Sequence, residues 1–449
     1  MAHSAATRPK KRTLTRRNFL WMTTLSAAGI ATGCAVNPVT GSRQLMLMSE
    51  NEEIALDRQH APQQFSADYG AVQDSMLNNY LTQVGNELAS RSHRPQMPYS
   101  FRAVNANYVN AYAFPGGSIA ATRGILLEIE NEAELAALMG HEIGHVNARH
   151  TASRMTNTQL GQLGLALLVG GIEKSKYKQW SKIAAQGGTL FVTGGLAYYS
   201  REDEREADDL GMDYMTRANY SPQGMVGLMD ILRSMSSHKP NAIEVMFSSH
   251  PMSDERYRTA VNASQSTYSF GQGFPLNRER YMDATASLRR MREALDEMQT
   301  GEGLMMQEQY GQAEGYFNNA LRRAPRDYAG LVLMAKCQVA QQRYDQAQQY
   351  ARMAQQVYPS EGQGYLVGGV ASLNRQDFAA AYEEFARYDQ MLPGNPDIVF
   401  YKGYSQEGMQ HKQQAAEEYN RYLQIVNEGE QAQHAYGRLV EWGYITPQQ

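Results

Sequence analysis

Apolar residues recur at helical spacing between Asn51 and about Arg91: Ile54 and Leu56 first, then Met76, Leu77, Tyr80, Leu81, Val84 and Leu88. Helices are predicted there. From Tyr99 to Ile129 polar and apolar residues alternate instead, through Tyr99, Phe101 and Ala103 and then Tyr112 and Phe114. The alternation breaks at Pro115-Gly116-Gly117 and resumes from Ile119 to Leu127, which predicts a small antiparallel sheet. Helical spacing returns from Glu132 to His150. Two apolar, glycine-containing stretches follow, Leu160 to Ile172 and Leu190 to Leu196. Each is shorter than the roughly 18 residues a membrane span requires, so they are read as buried helix or a flap over a cleft.

Composition turns to Ser, Tyr, Gly and Pro near Ser266 to Pro275, and this marks the end of a first domain. Beyond it a period of 34 residues links Pro325, Pro359 and Pro393, and also Ala313, Ala347, Ala381 and Ala415. Tyr310, Tyr344 and Phe378 keep the same phase, as do Ala320 and Ala354, and the aromatics Phe317, Phe385 and Tyr419. Small Ala, an aromatic and a helix-ending Pro at fixed offsets in 34 residues form the tetratricopeptide signature. A helix pair of this kind cannot bury its apolar face alone, so about four repeats are expected to stack into an all-α solenoid with a concave groove. The expected division is residues 1–33, a first domain over 34–270, a linker helix over 271–293 and repeats over 294–449.

The chain has 449 residues, 42% hydrophobic and 20% charged, which excludes a wholly disordered or collagen-like protein. Its net charge of −4 hides an asymmetry, because Arg8, Lys10, Lys11, Arg12, Arg16 and Arg17 crowd a start that has no acidic residue. The remainder is markedly acidic and has no basic stripe, which disfavours a nucleic-acid partner. Cys34 and Cys337 are too few for a disulfide framework or a cysteine-rich zinc site. The basic start leads through Arg16-Arg17 into an uncharged, largely apolar stretch from Phe19 to Gly33 and resembles a twin-arginine export signal. Ala31-Thr32-Gly33-Cys34 resembles a bacterial lipobox, with Ala31 where the pattern prefers Leu or Val. The expectation is a periplasmic protein of a Gram-negative bacterium anchored through lipidated Cys34. Ordinary signal-peptidase cleavage nearby, leaving a soluble periplasmic protein, is the alternative.

The helix that begins near Glu132 contains His141-Glu142-Ile143-Gly144-His145. Histidines four residues apart share one helical face, so both imidazoles can reach one zinc ion, while Glu142 beside the first can address a water there. Gly140 and Gly144 each cost roughly 1 kcal/mol of helix propensity relative to Ala, which implies something packed closely against this face. A catalytic zinc takes a third protein ligand, sought in the acidic run from Ser200 to Asp208. Glu204 and Asp208 lie four apart, so one carboxylate can bind the metal while the other orients a ligand imidazole. His150 falls off the ligand face and reads as a polar helix end.

These residues resemble the HtpX and CAAX-prenyl-protease family of zinc metallopeptidases, in its exported branch with C-terminal tetratricopeptide repeats. The likeness runs from Asn37-Pro38-Val39-Thr40-Gly41 through Asn110-Ala111-Tyr112-Ala113-Phe114-Pro115-Gly116-Gly117, His141 to His145 and the Glu204 to Asp208 helix, to Ser249-His250-Pro251. It implies an α+β zincin-like metalloprotease domain, mostly helical with a small antiparallel sheet, ahead of the solenoid. It also implies one Zn2+ per chain on His141, His145 and Glu204, Glu142 as catalytic base, and Asp208 behind the ligands. Asn110 stands at a strand like the edge strand on which related proteases hold extended substrate, and so becomes a substrate-binding residue. His250 takes a place near the metal, either filling the fourth zinc position as a latch or stabilising the oxyanion. Two functions follow from this likeness. In one, a zinc endopeptidase removes unfolded or misassembled envelope proteins, its repeats docking the client or an outer-membrane assembly machine. In the other, a chaperone or adaptor keeps its zinc site latched shut.

Overall fold

The structure, a computed structural model, describes residues 34–156, 199–238 and 240–446. The expected export signal and the apolar stretches 160–172 and 190–196 lie outside them. No helix among the described residues is long and apolar enough to cross a membrane.

The chain opens with a hairpin of β1 (Cys34–Val36) and β2 (Arg43–Leu45). Asn37 shapes its turn, because its side-chain oxygen accepts hydrogen bonds from the Val39 and Thr40 amides at 2.8 and 3.1 Å. Helix α1 (Glu50–Ala67) starts at a reciprocal cap in which the Glu52 amide donates to Ser49 Oγ and the Ser49 amide donates to Glu52 Oε2. Helix α2 (Ser75–Ala89) then leads into the sheet.

That sheet comprises β3 (Ser100–Val104), β4 (Ala111–Ala113) and β5 (Ser118–Thr122) in the order β3-β5-β4. It corrects the antiparallel expectation in one respect: β4 and β5 pair antiparallel, but β3 and β5 pair parallel. The reason is topological. The chain reverses between β3 and β4 and again at Pro115-Gly116-Gly117, where Gly117 has φ +102°, so β5 regains the direction of β3 and inserts beside it. Among the described residues β4 is thereby left as an edge strand.

Helices α3 (Arg123–Glu128), α4 (Glu132–Ala148) and α5 (Arg201–Arg217) follow, then α6 (Gln223–His238), α7 (Pro240–Ser249) and α8 (Asp254–Gln265). Every residue of α4 is buried, so this helix forms the axis of the first core. The close packing expected at its glycines is present: a Cβ at Gly140 would lie 2.9 Å from the Gly211 carbonyl oxygen, and one at Gly144 would lie 3.0 Å from that of Ala207. Backbones of α4 and α5 therefore touch. Residues 271–293 hold α9 (Arg278–Ala284) and α10 (Ala286–Arg289), whose Tyr281 and Leu288 join the same core.

The repeats run through α11 (Arg292–Met306), α12 (Tyr310–Arg323), α13 (Tyr328–Ala340), α14 (Tyr344–Val357), α15 (Gly362–Asn374), α16 (Phe378–Met391), α17 (Pro396–Gly408), α18 (Lys412–Leu423) and α19 (Glu430–Glu441). Phe317, Phe385 and Tyr419 are fully buried, each against a glycine of the preceding helix, Gly301, Gly369 or Gly403. At the equivalent place in the second repeat Ala351 and Ala335 are both fully buried. Glu308, Gln342, Gln376 and Gln410, again 34 apart, take the left-handed conformation in the turn within each pair.

The solenoid rests on the first domain through buried and half-buried polar groups. Arg123 of α3 pairs with Asp327, Asn107 donates to Glu302 at 3.0 Å, Ser66 donates to Glu361, and Lys336 Nζ lies 4.8 Å from the Tyr69 ring centre. Part of the repeat surface is thus covered by the chain's own first domain.

Candidate metal centre

Helix α4 sets His141 and His145 one turn apart, and their Nε2 atoms approach to 3.1 Å. Helix α5 begins at a reciprocal cap between Ser200 and Asp203, which fixes where its first turn points and brings Glu204 over α4. Glu204 Oε1 lies 3.3 Å from His145 Nε2, and Oε2 lies 3.6 Å from His141 Nε2. His250, just past α7, places Nδ1 3.0 Å from Glu204 Oε1 and 3.4 Å from His141 Nε2. Donor atoms of His141, His145, Glu204 and His250 all lie within 4.8 Å of one another, and all four residues are buried. A set of imidazoles with one carboxylate suits zinc or a similar divalent metal, and the buried set fits such an ion.

Behind these atoms, Asp208 Oδ1 stands 2.9 Å from His141 Nδ1. Arg256 of α8 grips both carboxylates, with Nη1 2.6 Å from Glu204 Oε2 and Nε 2.7 Å from Asp208 Oδ2, and it also donates to the Pro251 carbonyl at 3.0 Å. Tyr199 stacks on His145, ring centres 3.7 Å apart, and the two planes meet at only 16°. Burial alone would raise the Glu204 carboxyl, but the neighbouring His250 and His141 hold it well below its ordinary value. Burial pushes His145 well below the usual imidazole range, which leaves it neutral with a lone pair to give.

Glu142 is fully buried, and neither carboxylate oxygen has a hydrogen-bond partner among the described residues; His250 Nε2 lies 3.8 Å from Oε1. Burial raises its pKa, opposed in part by His250 and His141. A carboxylate so placed is primed to exchange a proton. Asn110 lies immediately before edge strand β4; its backbone amide donates to Thr122 Oγ1 at 3.0 Å, while both polar atoms of its buried side-chain amide lack partners among the described residues. Cys34 lies in β1.

Sequence reasoning missed Arg256, Tyr199 and the part played by His150, which it placed correctly off the ligand face. The available signal for Arg256 was charge, since two buried carboxylates on one helix require a cation. Tyr199 carried no signal in its spacing. His150 is no idle helix end: its Nδ1 lies 2.8 Å from His145 Nδ1.

Residues 75–264 match the family model for peptidase family M48, and residues 304–364 match that for a tetratricopeptide repeat. The beta-barrel assembly-enhancing protease of Yersinia pestis is 29% identical over 227 residues, which are 50% of this chain and 46% of the relative. Its counterpart in Escherichia coli strain K12 is 29% identical over 199 residues, 42% of this chain and 39% of the relative. Metalloprotease YcaL of the same strain is 25% identical over 228 residues, 51% of this chain and 86% of the relative. The chain thus spans less than half the length of the first two.

Proposed function

We propose, for a chain that belongs to peptidase family M48 and carries tetratricopeptide repeats behind its peptidase domain, a zinc-dependent endopeptidase acting on outer-membrane proteins in the bacterial cell envelope. The observation that carries this reading is the buried convergence of His141, His145 and Glu204 beside the carboxylate of Glu142, which has no hydrogen-bond partner among the described residues. His141, His145 and Glu204 would hold one zinc, and Asp208 would fix His141. Zinc in this place supplies Lewis-acid polarisation of the scissile carbonyl and makes a water more acidic. Glu142 takes the proton from the attacking water and returns it to the leaving amine. An extended substrate lies along β4 by main-chain hydrogen bonds, with the side-chain amide of Asn110 at the start of that strand.

His250 acts in this scheme as a latch. Its Nδ1 stands among the donor atoms, which favours that role over oxyanion stabilisation. The same observation supports the second reading, a chaperone or adaptor whose site stays shut at rest. The names of the two longer relatives support a role in assembling barrel proteins of the outer membrane, with the repeats docking the client or the assembly machine. Residues 1–33 would direct export by the twin-arginine route and Cys34 would carry the lipid anchor, with peptidase, linker and repeats over 34–270, 271–293 and 294–449.

The test is metal content and casein cleavage by the mature chain. One zinc per chain and cleavage that Glu142→Gln abolishes while zinc stays bound are expected; cleavage by Glu142→Gln at the wild-type rate overturns the peptidase mechanism. Full cellular function of Glu142→Gln, lost on deleting the repeats, would establish the adaptor instead.

A further inference from the structure

We propose that His150 and Glu206 form a positioning relay that sets the tautomer and the rotation of the His145 ring. The proposal rests on the metal-site reading above. His145 turns Nε2 toward His141 and Glu204, so its other ring nitrogen, Nδ1, must carry the proton if Nε2 is to offer a lone pair. That Nδ1 lies 2.8 Å from Nδ1 of His150. Two nitrogens at this distance need one donor and one acceptor, so His145 Nδ1–H donates and His150 Nδ1 accepts. The proton of His150 then sits on Nε2, which faces Glu206 Oε2 at 3.1 Å and Asp203 Oδ1 at 3.6 Å. A single requirement at the metal thus fixes each proton outward to the carboxylate.

The backbone explains how residue 150 reaches residue 145. Arg149 ends α4 in the left-handed conformation, φ +59°, and turns the chain back over the last helical turn. It is held there by hydrogen bonds from its Nε to Glu53 Oε1 at 2.9 Å and from Nη2 to the Met48 carbonyl at 2.6 Å. Left-handed geometry at a non-glycine residue needs such support. The two zinc-facing histidines are then oriented by different means. His141 meets Asp208 directly, whereas His145 meets its carboxylate through a second imidazole. Tyr199 stacked on the His145 face sets the plane of the ring, and the relay sets its rotation within that plane.

The experiment measures zinc affinity of the full chain by competition with a chelator, together with thermal unfolding of the zinc-free protein. His150→Leu should weaken zinc about ten- to hundredfold, the usual range for loss of a group that orients a ligand. His150→Asn puts an amide oxygen where Nδ1 stood and should restore binding close to wild type. Because Glu206 is partly exposed, Glu206→Ala and Glu206→Gln form a second pair for the case in which His150→Leu does not fold. Ala should weaken zinc, and Gln, which still accepts, should not. Zinc affinity of His150→Leu equal to wild type, or of His150→Asn as poor as that of His150→Leu, overturns the relay. A His141→Ala, His145→Ala double variant separates the two claims: if it keeps stoichiometric zinc, the metal site itself falls, and if it loses zinc while His150→Leu does not, only the relay falls.

Discussion

Gly211→Ala tests whether the metal centre depends on the contact between α4 and α5. A Cβ at residue 211 would lie 2.8 Å from the His141 amide nitrogen, 3.0 Å from the Gly140 carbonyl carbon and 3.1 Å from His141 Cα. All three are backbone atoms of α4, so none can swing away as a side-chain tip does. Restoring ordinary contact requires the helices to part locally by about 0.6 Å, and a close-packed interior does not absorb such a shift without strain. Metal–ligand distances tolerate about 0.2 Å. Glu204 rides on α5 and His141 on α4, so the parting falls directly between two proposed ligands. Overpacking costs about 1–3 kcal/mol, while the gain in helix propensity from Gly to Ala returns about 1 kcal/mol. The net loss of stability is therefore small, about 0–2 kcal/mol, and the centre suffers more than the fold. We expect zinc affinity and casein hydrolysis to fall by about tenfold or more, as for a displaced ligand. Gly315 in α12 is the control, because a Cβ there meets nothing within 4 Å. Gly315→Ala should leave zinc binding unchanged and raise stability by up to about 1 kcal/mol. Wild-type zinc affinity in Gly211→Ala would refute the reasoning.

Three further outcomes follow from other contacts. His250→Ala should raise proteolysis, self-cleavage included, if the imidazole is a latch; a fall of about a hundredfold with zinc retained would instead assign it to the oxyanion. Asp327→Asn keeps a helix-capping side chain but strips the buried Arg123 of its countercharge, so the melting temperature should drop by the equivalent of about 3–5 kcal/mol, and an unchanged melt would refute the pairing. Burial raises Glu302 from 4.5 to about 7, so the folded chain keeps a proton that the unfolded chain has already released between those values. Its stabilising contribution is full below 4.5 and is lost as pH rises through about 7. Glu302→Gln should remove that decline from the pH dependence of unfolding, and an unaltered slope would contradict the assignment.

The repeats were legible because their geometry recurs. Ala313, Ala347, Ala381 and Ala415 are all fully buried and 34 residues apart, since each helix pair meets its neighbour in the same way. The sheet was half legible. Alternation identified its strands and Pro115-Gly116-Gly117 its hairpin, but the parallel pairing of β3 with β5 depends on where the chain passes between Val104 and Ala111, and hydrophobic pattern carries no record of that. The seating of the repeats on the first domain was illegible for a related reason. Arg123, Glu302 and Lys336 read as ordinary charged residues of helices and Asp327 as a helix cap, and nothing local marks a charge that will be covered by a partner two hundred residues away.

At the metal centre the boundary falls between contacts within a helix and contacts across the chain. The spacing of His141 and His145 is a property of α4 alone, and the cost of Gly140 and Gly144 announced a neighbour without naming it. That neighbour is α5, and the same glycines that admit its backbone bring Glu204 onto the histidines. Helical projection rightly kept His150 off the ligand face but missed its contact with His145, because the projection assumes that the helix continues. It stops at Arg149, whose left-handed backbone is stabilised by Glu53 of α1, ninety-six residues earlier. Position 150 therefore leaves the helical wheel and comes back over His145. A tertiary ion pair thus decides where a residue five positions from the second histidine of the motif points.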